Sequence, residues 1–408
     1  MSGEDERETL MSIDRRRLYR FPWSKTDNPG GWVDVTDVCN LRCPLCYRVT
    51  RDGHRPLAEV LADIDACRAM TNCDDMKIAG GEPLTYPHLL DVVRHIAARG
   101  MKPFLLTNGL GLDRTMVLAL ARAGLVKFNF HVDSGQNRPG WEGRTETDLN
   151  ALRQSLTDLV AGIRGVGCGF NVTVSPDNLP FLPNVMAWAL KNIRTVHHMT
   201  LIALRGIAVG EDVALFANGR RLPPGLLPNA LGDAGSIGLT TDDILERIRA
   251  RFPAIVPSGY LNGAAFPETN KYLVAVLMGS RREVYGSLGP KSMEIVQAAI
   301  HLVRGRYAAI TKQTKVGRKV FALAVFDSEV RRALARYLRA AAIRPWRLLD
   351  GVYIQSIALE QPLEIIDGEA NVCDDCINMM IYRGRLIPSC RVEEVRTFGS
   401  PLTAQKIV

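Results

Sequence analysis

The chain has 408 residues, of which 47% are hydrophobic and 23% are charged, and its formal net charge at pH 7 is +8. This describes an ordinary soluble globular protein, long enough for two or three domains and a sizeable core. The longest strongly apolar runs, such as 272–278, are too short to span a bilayer, and residues 4–17 lack the apolar core of a signal peptide. The modest positive charge suits an acidic electron donor, an anionic substrate or a membrane surface, or serves solubility alone.

The cysteine count indicates the redox compartment. Nine cysteines are an odd number, and six of them fall into two close clusters. This usage favours metal chemistry in a reducing cytoplasm over a disulfide framework. Cys67, Cys73 and Cys168 are isolated and are expected to be small buried hydrophobic residues.

The first two hundred residues alternate between strand and helix patterns. Residues 1–27 are polar and are expected to form a loosely docked N-terminal arm. The predicted strands are 32–35, 76–79, 102–106, 127–132, 170–174 and 199–204. The predicted helices between them are 57–71, 86–99, 113–123, 147–164 and 181–192. Strands that alternate with helices predict an α/β fold with a parallel sheet and right-handed crossovers.

The rest of the chain gives fewer signals. Residues 206–236 are rich in Gly, Pro and Asn and are expected to be an irregular excursion or a junction. Helical patterns return at 241–252, 291–304 and 328–342. No motif within 221–360 indicates a particular chemistry by its spacing.

The strongest chemical signal follows the first predicted strand. Cys39, Cys43 and Cys46 form a C-x3-C-x2-C pattern. Thiolates are ligands of iron–sulfur clusters, and three of them hold three corners of a [4Fe-4S] cube while one iron stays free. No fourth Cys or His lies nearby to complete a zinc site. Buried thiols or a zinc knuckle are the alternatives.

This motif, with the aromatic Tyr47 after the last cysteine, resembles the radical S-adenosylmethionine (SAM) superfamily. The run Ala79-Gly80-Gly81-Glu82-Pro83 after the second strand resembles the Gly-Gly-Glu-Pro motif of that family, which holds the amino group of SAM. The resemblance implies a partial (β/α)6 barrel, with functional groups at the C-terminal ends of the strands. It also implies a SAM-binding [4Fe-4S] cluster and hydrogen abstraction by a 5′-deoxyadenosyl radical.

Further polar residues sit at the predicted strand ends, where contacts to SAM are expected. For each of them a hydrogen-bonded turn or core residue is the alternative. His131 is not assigned as a general base, because a single His on a strand is more often a hydrogen-bonded core residue. The candidates for SAM binding are Asn108, His131, Asp133, Asn171 and Arg205, with Thr107 and Thr173 beside them.

A second cysteine cluster lies near the C-terminus. Cys373, Cys376 and Cys390 are spaced C-x2-C-x13-C. A second, auxiliary [4Fe-4S] cluster is the preferred interpretation, and a structural zinc or iron knuckle is the alternative. A fourth ligand would come from Asp374, Asp375 or Asn378. The spacing resembles the auxiliary cluster of GTP 3′,8-cyclases, but their Asn-x-Arg run and Gly-Gly tail are absent, so GTP is not the expected substrate.

A closer resemblance is to archaeal tetraether-lipid synthases and class D radical SAM methyltransferases. They share the form Cys-Asn-Leu-Arg-Cys-Pro-x-Cys, the Ala-Gly-Gly-Glu-Pro run and a segment like Gly384-Arg385-Leu386-Ile387-Pro388-Ser389-Cys390. The chain lacks their cysteine-rich N-terminal extension. The resemblance implies C–C bond formation or methylation on a hydrophobic, lipid-like chain, by a transferase or an oxidoreductase.

The sequence therefore predicts a cytoplasmic radical SAM enzyme. Its expected parts are an arm (1–27), a (β/α)6 core (28–220), a mainly helical accessory region that shapes the substrate pocket (221–360) and a C-terminal cluster-binding segment (361–408). The expected partners are reduced flavodoxin or ferredoxin and a small-molecule or lipid substrate, without nucleic acid. The arginine-rich helix 330–347 suggests a peripheral membrane contact, or is a solvated face. The alternatives are radical modification of a peptide or small natural product, and a non-enzymatic iron–sulfur redox protein.

Overall fold

A computed structural model of the chain describes residues 14–205, 213–223, 238–309 and 315–407. Its central feature is a run of six strands that pair in parallel in chain order. These strands are β2 (Gly30–Thr36), β3 (Asp75–Gly80), β4 (Lys102–Thr107), β5 (Lys127–His131), β6 (Gly167–Val174) and β7 (His198–Ala203). All six predicted strands are confirmed to within three residues.

Five helices connect these strands. They are α1 (Leu57–Met70), α2 (Leu89–Ala98), α3 (Arg114–Ala123), α4 (Asn150–Val160) and α5 (Leu182–Lys191). In α2 the apolar residues recur at helical spacing, and Leu89, Val92, Val93 and Ile96 are all buried. The α/β fold predicted from the alternation of strands and helices is therefore confirmed.

The two faces of each strand differ in chemistry. In β5, Phe128 and Phe130 face the helices and are fully buried, whereas Lys127, Asn129 and His131 line an internal cavity. Successive side chains of a strand point to opposite faces, so the five residues of β5 present an apolar side to the helices and a polar side to the cavity. At β5 the inner face of the barrel is therefore polar, and the outer face against the helices is apolar.

The sheet continues beyond both edges of the six-stranded core. β7 pairs with β13 (Tyr353–Glu360), which pairs with β11 (Asn270–Gly279), and β2 pairs with β16 (Met379–Tyr382). The remaining strands of this sheet are β1 (Tyr19–Arg20), β10 (Gly259–Asn262), β12 (Val284–Leu288) and β17 (Arg385–Pro388). No pairing between described strands joins β2 to β7, so the barrel is partial, as expected.

Helices and two small sheets surround this core. The helices are α6 (Thr241–Arg249), α7 (Pro290–Arg304), α8 (Ser328–Ile343) and α9 (Val392–Phe398). The small sheets comprise β8 (Val213–Ala217), β9 (Arg220–Arg221) and β18 (Thr403–Lys406), and β14 (Glu364–Ile366) with β15 (Glu369–Asn371). The three helices predicted within 221–360 are present, and strands β10 to β13 accompany them. Each of the four predicted segments contributes strands to the same sheet.

The described part of the N-terminal arm is docked, which corrects the expectation of a loose arm. β1 pairs with β10, and Phe21 and Trp23 are only 1% and 6% exposed. Their rings stack at 4.0 Å between centroids. The burial of two aromatic side chains outweighs the polar character of the segment. Most of the predicted irregular stretch 206–236 lies outside the described residues.

Within the described ranges, no helix combines the length and the apolar character that a membrane span requires.

Candidate functional site

The first cysteine motif forms a loop directly after β2. Its backbone folds back on itself, since the Cys46 amide donates to the carbonyl oxygen of Cys43 over 3.1 Å. Cys39 and Cys43 are partly exposed and Cys46 is the most exposed of the three. All three line the internal cavity. The loop thus presents three thiols to one space.

The thiols in this loop are held in their protonated form. Burial, reinforced by the neighbouring Cys46 and Asp133, raises the pKa of Cys43 to about 12. Burial also raises the pKa of Cys39 and Cys46. A bound metal reverses this preference, because a coordinating thiol is deprotonated. The three soft donors therefore fit an iron–sulfur cluster.

The Gly80-Gly81 turn packs against the backbone that leads into the cysteine loop. The Gly81 amide donates to the Thr36 carbonyl oxygen over 2.7 Å, and a side chain on Gly81 would collide with the Val38 carbonyl. Gly80 has φ = +137° and leaves room for the Thr36 carbonyl oxygen. Only glycine permits this approach and this conformation. The two motifs found in the sequence are therefore one structural unit.

Glu82 is buried, at 1% exposure, and ties the end of β3 to the end of β4. Its carboxylate accepts hydrogen bonds from Thr107 Oγ1 (2.6 Å), the Asn108 amide (2.7 Å) and the Leu84 amide (3.0 Å). Burial raises the pKa of Glu82 despite these donors. An ionised carboxylate has about four acceptor positions, so one remains for a ligand. Pro83 begins the short turn that follows.

Asn108 connects the hydrogen bonds of Glu82 to the cysteine loop, because its Nδ2 donates to Asn40 Oδ1 over 2.7 Å. Arg138 supports it from behind by donating to the Asn108 carbonyl oxygen over 2.6 Å. The Arg138 guanidinium is 4% exposed, and burial lowers its pKa while Cys43 and Glu82 act in the opposite direction. The sequence analysis missed Arg138, which follows the polar run after β5 and carries no motif.

His131 and Asp133 form a pair at the end of β5. His131 Nε2 lies 2.7 Å from Asp133 Oδ2 and 3.0 Å from Thr173 Oγ1. Burial opposes ionisation of Asp133, but His131 and the donors of Thr173 outweigh it, so the pKa of Asp133 is lowered. Asp133 is therefore a buried anion at the cavity wall, and His131 is its hydrogen-bond partner.

The remaining candidates are Asn171 on β6, Arg205 after β7 and Tyr47 in the first cysteine loop. Asn171 Oδ1 accepts a hydrogen bond from Asn129 Nδ2. Arg205 donates from Nη1 to the Cys390 carbonyl oxygen over 2.8 Å and forms an ion pair with Glu394. Burial raises the pKa of Tyr47. Arg205 thus joins the end of β7 to the C-terminal segment.

The second cysteine motif reaches the same space from beside β2, the strand that leads into the first cysteine loop. β16 and β17 form a hairpin between Cys376 and Cys390, and β16 pairs with Gly31 and Trp32 of β2. Burial raises the pKa of all three C-terminal thiols, and that of Cys373 reaches about 12. The donor set again fits a soft-metal cluster.

The three candidates for a fourth ligand differ in their surroundings. Asp374 pairs with Arg20 at 2.5 Å, and Asp375 lies 3.7 Å from the same guanidinium. Asn378 lines the cavity, and its buried Oδ1 has no hydrogen-bond partner within the described residues. Asn378 is therefore the candidate whose oxygen is available.

One cavity of about 410 Å3 collects these residues. No three His, Cys, Asp or Glu side chains in the described ranges gather closely enough to hold a single metal ion. Of the predicted site residues, Pro83 and the two candidate fourth ligands Asp374 and Asp375 do not line the cavity. The predicted residues that line it are Cys39, Cys43, Cys46, Tyr47, Gly80, Gly81, Glu82, Asn108, His131, Asp133, Asn171, Arg205, Cys373, Cys376 and Cys390.

Comparison with solved structures finds only weak likeness. SuiB of Streptococcus suis, in a structure bound to S-adenosylmethionine, is 13% identical, with a TM-score of 0.35 over 44% of this chain and 40% of that one. The FeFe-hydrogenase maturase HydG of Carboxydothermus hydrogenoformans gives a TM-score of 0.39 and 13% identity over 58% and 53%. With TM-scores this low, these structures carry no argument about the family of the chain.

Comparison of sequences gives a family match. The chain is 33% identical over 192 residues to the GTP 3′,8-cyclase of Streptomyces coelicolor, which covers 43% of this chain and 54% of that protein. The GTP 3′,8-cyclase of Mycolicibacterium smegmatis is 36% identical over 110 residues, or 25% and 30% of the two chains. The chain thus spans about half or less of these curated relatives. Residues 33–166 match the model of the radical SAM superfamily, and they include both motifs of the cysteine-loop unit. Over residues 33–166 the chain is therefore similar to the radical SAM superfamily.

Proposed function

We propose that the protein cleaves SAM reductively at a [4Fe-4S] cluster held by Cys39, Cys43 and Cys46. The cluster supplies the electron, and the resulting 5′-deoxyadenosyl radical abstracts hydrogen from a substrate C–H bond. The observation that carries this proposal is the contact between the cysteine loop and the Gly80-Gly81 turn at one end of an internal cavity. The similarity of residues 33–166 to the radical SAM superfamily supports it.

The chain's own residues have three tasks in this reaction. The three thiolates leave one coordination position open, and the free acceptor position of Glu82 suits the ammonium group of SAM. Asn108, held by Arg138, and the His131–Asp133 pair supply polar contacts at neighbouring strand ends. Phe21 and Trp23 line the same cavity and help to exclude water, which radical intermediates require.

We also propose that Cys373, Cys376 and Cys390 hold an auxiliary [4Fe-4S] cluster, with Asn378 as a fourth ligand. The orientation of these thiols toward the common cavity supports a role in substrate binding or electron transfer. A zinc or iron knuckle is the alternative, and metal analysis with Mössbauer spectroscopy of anaerobically purified protein distinguishes them. Zinc together with a single cluster would refute the auxiliary cluster.

The size and lining of the cavity bear on the substrate. A volume of about 410 Å3 is typical of a site for one small ligand, so SAM and the substrate must share it or the substrate must enter only in part. Charged side chains, Lys77, Lys127 and Glu360, line it beside aromatic ones. These features favour a small molecule or a peptide end as substrate. They favour the lipid-like chain less, although its end can still enter.

Reductive SAM cleavage tests the main proposal. The anaerobically reconstituted protein, reduced with dithionite or with flavodoxin or ferredoxin, should release 5′-deoxyadenosine. The joint replacement of Cys39, Cys43 and Cys46 by Ala should remove about four irons and all of this product. Cys168→Ala, at a buried thiol outside both clusters, is the matched control. A non-enzymatic redox protein would bind iron but form no 5′-deoxyadenosine.

A further inference from the structure

The cavity extends far below the cysteine loop. Lys127, Asn129 and His131 line it along β5, and Lys127 is the first residue of that strand. At about 3.3 Å per residue, Lys127 lies about 13 Å below His131. The part of this cavity around Lys127, at the N-terminal ends of the strands, is here called the lower compartment.

Elements from outside the six-stranded core close this lower compartment. Trp23 of the arm, Met293 and Gln297 of α7, and Ala308 and Ala309 after it all belong to its lining. Trp23 is 6% exposed and Gln297 3% exposed, so neither faces bulk solvent. The compartment is thus enclosed at the end that lies away from the proposed SAM site.

Several polar groups in this compartment have no partner. Lys127 is 2% exposed, and its Nζ lies 4.4 Å from the centre of the Phe104 ring but makes no hydrogen bond or ion pair with any described residue. Trp23 Nε1 and Gln297 Oε1 are buried and also unpaired among the described residues. Unpaired buried donors are costly, and native proteins rarely retain them without a partner. Lys127 Nζ and Trp23 Nε1 are donors that an acceptor group of a ligand would satisfy, whereas Gln297 Oε1 is an acceptor and needs a donor.

The neighbouring charges do not fill this role. Asp75, the carboxylate that acts on Lys127, is committed to Lys77, whose Nζ lies 3.0 Å from Asp75 Oδ1. Burial, reinforced by Lys77 and opposed by Asp75, lowers the pKa of Lys127 to about 7. His198 donates or accepts hydrogen bonds with Ser356 and Thr200 on its own side. The Lys127 ammonium therefore lacks a counter-ion inside a cavity of ligand size.

We propose that the lower compartment binds an anionic group of the substrate, a carboxylate or a phosphate, at Lys127. This proposal rests on the proposed function, because it orients the substrate of that reaction. The anionic end would be buried against Lys127, and the opposite end would face the cysteine loop, where hydrogen is abstracted. The aromatic rings of Phe104 and Tyr272 in the lining suit an apolar body between the two ends.

Binding of small anions tests this without SAM turnover. Isothermal titration calorimetry of the reconstituted protein with benzoate and with phenyl phosphate should show binding, and the uncharged benzyl alcohol should bind more weakly. Lys127→Met should weaken binding of the preferred anion about tenfold or more, as expected for loss of a charge-assisted hydrogen bond. Lys291→Met, at an exposed lysine of α7, is the control.

A second variant tests the proposal even if Lys127→Met does not fold. Gln297→Glu adds a carboxylate to the compartment and should also weaken anion binding while leaving Lys127 in place. The preferred probe identifies the anionic group as carboxylate or phosphate. Equal affinities in the wild type, Lys127→Met and Gln297→Glu, or no binding of either anion, would overturn the proposal. Absence of 5′-deoxyadenosine formation would instead overturn the proposed function and leave the anion titrations unaffected.

Discussion

Arg205 Nη1 donates to the carbonyl oxygen of Cys390 over 2.8 Å, and this bond fastens the end of β7 to the second cysteine cluster. The same guanidinium pairs with Glu394, which also accepts from Arg391. On the other side of the barrel, Arg48 pairs with Asp34 and with Glu393. Buried ion pairs therefore join α9 both to the residue range after the first cysteine loop and to the end of β7.

Arg205→Met should loosen the C-terminal cysteine segment. It leaves the Cys390 carbonyl and part of Glu394 without a donor, at a cost of about 1–3 kcal/mol. We expect lower iron occupancy of the second cluster and faster proteolysis within 361–408, measured by iron analysis and limited digestion. Arg221→Met, at an exposed residue of β9, is the control. Unchanged iron and digestion would show that the anchor is dispensable.

Glu82→Gln should affect both stability and SAM binding. The amide cannot accept from all three donors, and it loses the charge-assisted bond to an ammonium group, which is worth about 1.5–3 kcal/mol. We expect a lower Tm and weaker SAM binding, measured by thermal unfolding and by titration at intact cluster absorbance. Glu59→Gln, on the exposed face of α1, should change neither. SAM affinity equal to that of the wild type would argue against contact between Glu82 and SAM.

Asn378 and Asp374 can be compared as fourth ligands of the second cluster. In protein that lacks the first three cysteines, Asn378→Ala should alter the electron paramagnetic resonance spectrum of the remaining cluster. Asp374→Ala removes only the pair with Arg20 and should leave the spectrum unchanged. A change with Asp374→Ala and none with Asn378→Ala would reverse this assignment. Replacement of Cys373, Cys376 and Cys390 together should halve the iron content.

Lys127 should make stability depend on pH. Its folded pKa of about 7 lies below the value of 10.5 in an exposed lysine, so the unfolded chain binds more protons between these pH values. The contribution of Lys127 to stability therefore improves as pH rises through this window. The groups that act electrostatically with it are Asp75, Lys77, Cys168, His197 and His198.

Without a ligand, Lys127→Met should remove this dependence. We expect a Tm above that of the wild type at pH 6, with a smaller difference at pH 9, because the buried charge is most costly where it is fully protonated. Lys291→Met provides the baseline. A Tm difference that does not change between pH 6 and pH 9 would contradict the titration of Lys127 in this range.

The arginine-rich helix permits a test of the lipid alternative. Arg332, Arg339 and Arg344 on and after α8 are exposed, as are Ile343 and Trp346, whereas Arg347 is buried against Glu283. If this surface docks to a membrane, the protein should sediment with anionic liposomes at low salt, since each arginine contributes about 1 kcal/mol. Replacing Arg332, Arg339 and Arg344 by Glu should abolish sedimentation.

Salt and lipid charge are the controls for this surface. Raised salt should release the protein through screening, and neutral liposomes should not bind it. Absence of sedimentation at low salt, together with turnover of a water-soluble substrate, would exclude the membrane contact and leave the radical SAM assignment intact.

Local patterns were enough to predict the core elements. The strands β2 to β7 and helices α1 to α5 follow from apolar periodicity and from turns that fall between them. The two cysteine motifs were recognised because their spacing is chemical information in itself. The position of Glu82 beside the first motif was also expected from the resemblance, whereas its three hydrogen-bond donors were not.

Other features depend on contacts between distant parts of the chain. Lys127 opens a strand and resembles a solvent-facing residue in the sequence, but the fold buries its side chain over the Phe104 ring in the wall of the cavity. Arg138 lies in a polar loop without a pattern. The pairing of β16 with β2 joins opposite ends of the described chain, and no local signal indicates it.

The pairing of β16 with β2 has a consequence for biosynthesis. Met379 and Met380 cover the edge of the strand that leads into the first cysteine loop, by pairing with Gly31 and Trp32. Until the ribosome has released residues beyond 380, that strand keeps an open edge, which is a template for wrong pairing. The contact is highly non-local and therefore forms late in folding. If iron and sulfide are delivered to the first cysteine loop during synthesis, β2 still lacks its neighbour β16. If they are delivered after synthesis, β2 is already paired with β16.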